Sequence, residues 1–145
     1  MIFKTEEIQT SVPVTILAVE GVLDATNYQD LINKARQIYL AGSRGLILDF
    51  TRLSFMSSSG ILSLHDIALL MRGEPPADIG EGWSAFHAIS HFIEEETHYE
   101  KHLKLLSPQS RVRKTLETTG FDRLIEIFYD RDAAIASFYS SPADP

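Results

Sequence analysis

Apolar positions along the chain change period several times, and each change marks an expected element. Over residues 2–9 and 12–22 the step is two residues: Val14, Ile16 and Ala18 face one way and Thr15, Leu17 and Val19 the other, in a β-rich composition. Two strands joined by a short turn follow, an opening β-hairpin. After Gly21 the step lengthens to three and four residues through Tyr28, Leu31, Ile32, Ala35, Ile38 and Tyr39. That spacing predicts an amphipathic helix, with Asp24 or Thr26 as its N-cap and Gly42 as its stop. Leu46-Ile47-Leu48 with Phe50 is a nearly continuous apolar run, the form of a strand covered on both faces. A helix between two strands predicts a right-handed βαβ unit.

Ser57-Ser58-Ser59-Gly60 interrupts the strand pattern, and Ile61, Leu64, Ile67, Ala68 and Met71 resume helical spacing, with Leu62, Leu69 and Leu70 widening the apolar face. Glycines, prolines and acids from Gly73 to Gly82 predict a loop, and residues 83–99 a further helix. Leu103 to Leu106 reads as a strand. Ser107-Pro108 then reads as a helix start with proline in the first helical position, continuing through Val112 and Leu116 to Gly120. Residues 125–129 form the expected last strand, and Asp130 caps a short helix through Ala134, Ile135 and Phe138 before a fraying tail at 140–145. The expected fold is α/β: a mixed, mainly parallel sheet of about five strands with helices, in one domain of 145 residues.

Composition narrows the function classes. Thirteen Lys and Arg against twenty Asp and Glu give a net charge of -7, which argues against nucleic acid or an anionic membrane surface as the main partner. Without cysteine there is no disulfide scaffold, thiol catalysis or thiolate metal site. No basic-then-apolar leader opens the chain and no eighteen-residue apolar run occurs, so a soluble, cytoplasmic protein is the expectation.

Three blocks carry a resemblance to a known family. They are Glu20-Gly21-Val22-Leu23-Asp24-Ala25-Thr26-Asn27; the stretch from Gly45 through Asp49 and Phe55 to Ser57-Ser58-Ser59-Gly60-Ile61; and Val112 to Phe121 leading into the last strand and helix. In this order they resemble the STAS domain of anti-sigma factor antagonists. The resemblance implies a non-catalytic signalling module of bacterial transcription control, with no cofactor. Its expected partners are a serine kinase that doubles as an anti-sigma factor and a serine phosphatase. It also implies that Ser58, matching the family's modified serine, is the phosphorylation site. Ser57 stands where the motif has aspartate. Asp24, Asn27, Ser57, Ser59 and Gly60 are the expected partner-binding rim.

The residues themselves agree with a docking surface. A serine at a helix N-terminus can accept from unpaired amides, and a glycine permits close approach of another chain. Phosphorylation would add about -1.5 to -2 charges there, at a helix end that tolerates them. Equally, the three serines can be a helix cap in a turn and nothing more. His65 and Asp66 do not make a triad with Ser58 or Ser59, since adjacent helical residues point about 100° apart.

Residues 73–100 depart from the family pattern and read as an acidic helical insertion. On a helical wheel Phe86, Ile89 and Ile93 share one side, while His87, His91, Glu94 and His98 form a stripe on another. That stripe suits a metal ion such as zinc if a second chain or loop supplies further ligands; a solvated polar face is the alternative, and no metal is assigned. The apolar side is a candidate contact for a homodimer. Two alternatives to the switch follow: a STAS subunit of a larger transport or signalling assembly without phosphorylation, and a metal-binding sensor working through the histidines.

Overall fold

The computed structural model describes residues 1–74 and 98–139. The strands are β1 (Ile2–Ile8), β2 (Val14–Leu23), β3 (Gly45–Asp49), β4 (Leu53–Met56), β5 (Leu103–Leu106) and β6 (Ile127–Phe128). The helices are α1 (Tyr28–Leu40), α2 (Ser58–Met71), α3 (Ser110–Thr119) and α4 (Arg131–Ala136), with a 3₁₀ turn at Phe121–Arg123. One sheet holds the order β1-β2-β3-β5-β6, and β4 pairs with the far end of β2. The β1–β2 hairpin is antiparallel and every other pairing is parallel.

Strand periodicity sorts side chains onto two faces. Leu17 and Val19 of β2, Leu46 and Leu48 of β3, and Leu103 and Leu105 of β5 join the main core under α1, α2 and α3. Their alternates, Val14, Ile16, Ile47 and Leu106, pack against Ala134 and Ile135 of α4. Both faces of the central strands are therefore covered, which is why Leu46-Ile47-Leu48 shows no polar alternation.

Four details differ from expectation. A sixth strand, β4, occupies Leu53–Met56, where no element was expected; it is four residues long and two of them are exposed, so its period is too short to register. Pro108 does not open a helix: Ser107 takes φ 52°, its amide donates to Phe128 O, and the chain stays extended through Gln109 before α3 begins at Ser110. The last strand is shorter than 125–129, because the amide of Ile125 still bonds to Phe121 O in the turn after the 3₁₀ segment. Helix α1 begins after Asn27, which makes no side-chain cap bond, rather than at Asp24 or Thr26. The helix expected over 83–99 lies almost wholly outside the described residues, and its last two positions, His98 and Tyr99, are not helical.

Other boundaries follow from local chemistry. Gly42 and Gly120, at φ 117° and 84°, end α1 and α3 in the left-handed region that a side chain disfavours. Asp130 caps α4 by accepting from the amide of Asp132 at 3.3 Å.

Candidate functional site

The site is built where two parallel strands end side by side. Leu23 of β2 pairs with Met56 of β4, and the amide of Ser57 donates to Leu23 O at 2.9 Å. Chain leaving β2 at Asp24 and chain leaving β4 at Ser57 therefore emerge from the same edge of the sheet, the carboxyl ends of parallel strands where α/β folds carry their sites.

Ser57 is the N-cap of α2, its Oγ accepting from the amide of Ser59 at 3.2 Å. Ser58 follows as the first helical residue and is exposed, whereas Ser57 and Ser59 are half-buried. Capping and exposure thus fall on different serines. The cap belongs to Ser57, and Ser58 presents its hydroxyl to solvent beside the positive end of the helix. Gly60 is buried, and a Cβ there would lie 2.2 Å from Met56 Cγ and 3.1 Å from Leu23 Cδ2. Its missing side chain makes room for the protein's own core and not for an approaching chain.

Asp24 and Asn27 hold the neighbouring loop in shape. Asn27 Nδ2 donates to Val22 O at 2.8 Å, and its Oδ1 accepts from the Asp24 amide at 2.9 Å. Asp24 Oδ1 accepts from both the amide and the hydroxyl of Thr26. These bonds, the Thr26 hydroxyl foremost, hold the Asp24 carboxyl below its ordinary value of 3.8. The carboxylate form is therefore the one that braces the loop at neutral pH. These bonds tie residues 22–27 to one another, and the loop is joined to the start of α2 through Leu23 O, which accepts from the Ser57 amide.

Sequence reasoning missed the residues that complete this surface. Val22 and Phe55 are opposite partners in the β2–β4 pairing, and both are large apolar side chains left exposed, at 40% and 37%. Arg111 of α3 lies over the Phe55 ring, 5.4 Å from its centre. No pattern in the sequence separates these apolar residues from core ones; their exposure depends on β4 ending the sheet there.

The other candidates lie elsewhere. His65 is buried in α2, seven residues and about 10 Å of helix from Ser58, with Nδ1 3.7 Å from Asp66 Oδ1, beyond hydrogen-bond reach. His87, His91 and Glu94 lie outside the described residues. His98 shares a depression of about 280 Å³ with Arg72, Glu100, Lys101 and His102, where two cations make a poor setting for a third. Among the described residues no three His, Asp or Glu side chains gather as a metal would require.

Residues 5–72, just under half of the chain and containing β2, β4 and the Ser58 turn, match the family model of the STAS domain. The chain has the STAS fold. No curated protein matches its sequence. Among solved structures, an anti-sigma factor antagonist from Mycobacterium paratuberculosis superposes with a TM-score of 0.62 at 14% identity, covering 94% of each chain. The anti-sigma factor antagonist SpoIIAA in its unphosphorylated form gives 0.57 at 22% identity, over 92% of this chain and 93% of its own. The phosphorylated form of Bacillus SpoIIAA gives 0.52 at 21%, over 93% and 97%. At such identities the likeness is one of fold. Among the described residues of this STAS-like chain, no helix is long and apolar enough to cross a membrane.

Proposed function

We propose that this protein is a non-catalytic binding module switched by phosphorylation of Ser58. Unmodified, the Ser58 turn docks on a serine kinase that doubles as an anti-sigma factor; phosphorylated, it releases that partner, and a serine phosphatase resets it. The observation that carries the reading is the exposed hydroxyl of Ser58 at the first position of α2, next to a cap that Ser57 supplies. A phosphate can be added at Ser58 without removing a bond that the helix needs, and the amide end of α2 favours the added charge. The fold therefore stays intact while the surface changes by about two negative charges. That SpoIIAA has both an unphosphorylated and a phosphorylated structure supports the same cycle here. Asp24 and Asn27 frame the docking surface, and residues 73–100 form an insertion in a single domain.

The experiment is intact-mass analysis and peptide mapping of protein recovered from its own cells, together with a pull-down comparing wild type and Ser58→Glu. One phosphoryl group on Ser58 is expected, and Ser58→Glu should weaken capture of the kinase by about tenfold or more while shifting Tm by less than about 2 °C. Absence of phosphate under every growth and stress condition sinks the switch in favour of a STAS subunit in a larger assembly. A large fall in Tm instead makes Ser58 a structural residue.

A further inference from the structure

Beside the Ser58 turn, a groove of about 460 Å³ runs between β4 and α3. It is lined by Phe55, Arg111, Lys114, Thr115, Thr118 and Thr119. The helix is held against this edge of the sheet by its packing on β4 and by Gln109 Nε2, which donates to Thr51 O at 2.8 Å. Phe55 forms the floor. Its strand neighbours Leu53 and Met56 are fully buried, whereas the Phe55 ring stays exposed and continues into the exposed Val22 across the β2–β4 pairing.

The polar character of the groove is one-sided. Arg111 and Lys114 are its charged groups, both exposed, and no carboxylate lines it; Glu117, the acid of α3, lies outside the lining. Thr115 and Thr119 direct their hydroxyls to carbonyls of their own helix, at 3.3 Å and 2.9 Å, so the two cations are the groove's strongest recognition groups. Arg111 already lies over the aromatic ring, and its guanidinium can take a carboxylate on its edge. An exposed aromatic beside an arginine is the pairing on which interface energy concentrates.

We propose that this groove seats an acidic, apolar segment of the protein that docks on the Ser58 turn: an apolar side chain against Phe55 and Val22, with carboxylates on Arg111 and Lys114. The inference rests on the reading of the Ser58 turn as a docking surface and names the partner's chemistry. It also gives the phosphate a second means of action. A dianion at Ser58 lowers the positive potential on which an acidic segment depends, by an amount that salt screens.

The test uses the full-length ¹⁵N-labelled protein and two synthetic hexapeptides, Glu-Glu-Leu-Phe-Glu-Glu and Lys-Lys-Leu-Phe-Lys-Lys. The acidic peptide is expected to shift the amide signals of Phe55, Arg111, Lys114 and Thr118, and the basic one to leave them in place. Raising salt from about 50 to 300 mM should weaken the acidic peptide about tenfold, and R111E/K114E should do the same with Tm unchanged, as befits two exposed side chains. Equal shifts from both peptides, shifts scattered away from the groove, or none at about 5 mM peptide overturn the proposal. Neither peptide involves a kinase or a modified serine, so a negative result here leaves the Ser58 mass mapping standing, and absent phosphate leaves the groove result standing.

Discussion

At Gly60 the absence of one carbon decides how the site is built. The Cα faces Met56 and Leu23, both essentially without exposure, and a Cβ would sit 2.2 Å from Met56 Cγ. Read from sequence, Ser-Ser-Ser-Gly offers a glycine for another chain to approach; the structure turns that approach inward, so that β4, the end of β2 and the first turn of α2 close on one another. Gly60→Ala is expected to destabilise the protein by about 1–3 kcal/mol through overpacking. Met56→Ala removes the clashing side chain at its own cost of about 2–5 kcal/mol. Because the two changes concern one contact, the double variant should cost less than their sum by at least about 0.5 kcal/mol in urea unfolding. Strict additivity would show that the close approach is not what selects glycine. The division of labour between Ser57 and Ser58 belongs to the same scale. The sequence places three candidate hydroxyls in a row, and only backbone geometry tells which one caps and which one faces water.

Among elements, the most consequential link joins the end of α2 to the approach to β5. Arg72 Nε donates to Glu100 Oε2 at 3.0 Å, and its Nη2 contacts Oε1, making a two-pronged ion pair. The partners are unequally placed, with side-chain exposures of 26% for Arg72 and 3% for Glu100. Removing the arginine strands a buried carboxylate, whereas neutralising the glutamate leaves a guanidinium that can reach water. Arg72→Met is therefore expected to cost about 3–5 kcal/mol, and Glu100→Gln clearly less, by thermal or urea unfolding. Equal losses would mean that the desolvated carboxylate is not the origin of the cost. This clasp was invisible in the sequence, where the two residues stand twenty-eight positions apart across an acidic stretch with no pattern connecting them. Elements with a long, clean period were legible: β2, α1 and α2 lie close to where alternation or three-to-four spacing puts them, and β5, though only four residues long, was legible as a mostly apolar run that is buried throughout. Where the period is short, as in β4, or where tertiary bonds override a local signal, as at Ser107-Pro108, it was not. The Ser58 turn was legible through its motif, while Val22, Phe55 and Arg111 became part of the site through the pairing of β4 and the placement of α3.

Charge is distributed unevenly over the whole molecule. Residues 73–100 hold seven of the twenty acids and no Lys or Arg, so the remainder of the chain, with thirteen of each sign, is formally neutral. The net -7 therefore says little about the Ser58 surface, whose neighbouring groove is locally positive through Arg111 and Lys114. The Arg72–Glu100 clasp also brings the two ends of the acidic stretch together. Closing that gap with a short Gly/Ser linker in place of residues 75–97 should add little strain, since loop-closure entropy varies slowly with length. The shortened protein loses the five acids Asp78, Glu81, Glu94, Glu95 and Glu96, which brings its formal charge to -2. It is expected to unfold cooperatively with Tm within about 5 °C of the parent, and to capture the Ser58 partner as strongly, because that surface lies at the opposite end of α2. If Tm is kept but capture is lost, residues 75–97 make the contacts. The protein is then a subunit held by its acidic stretch, and not a module switched at Ser58.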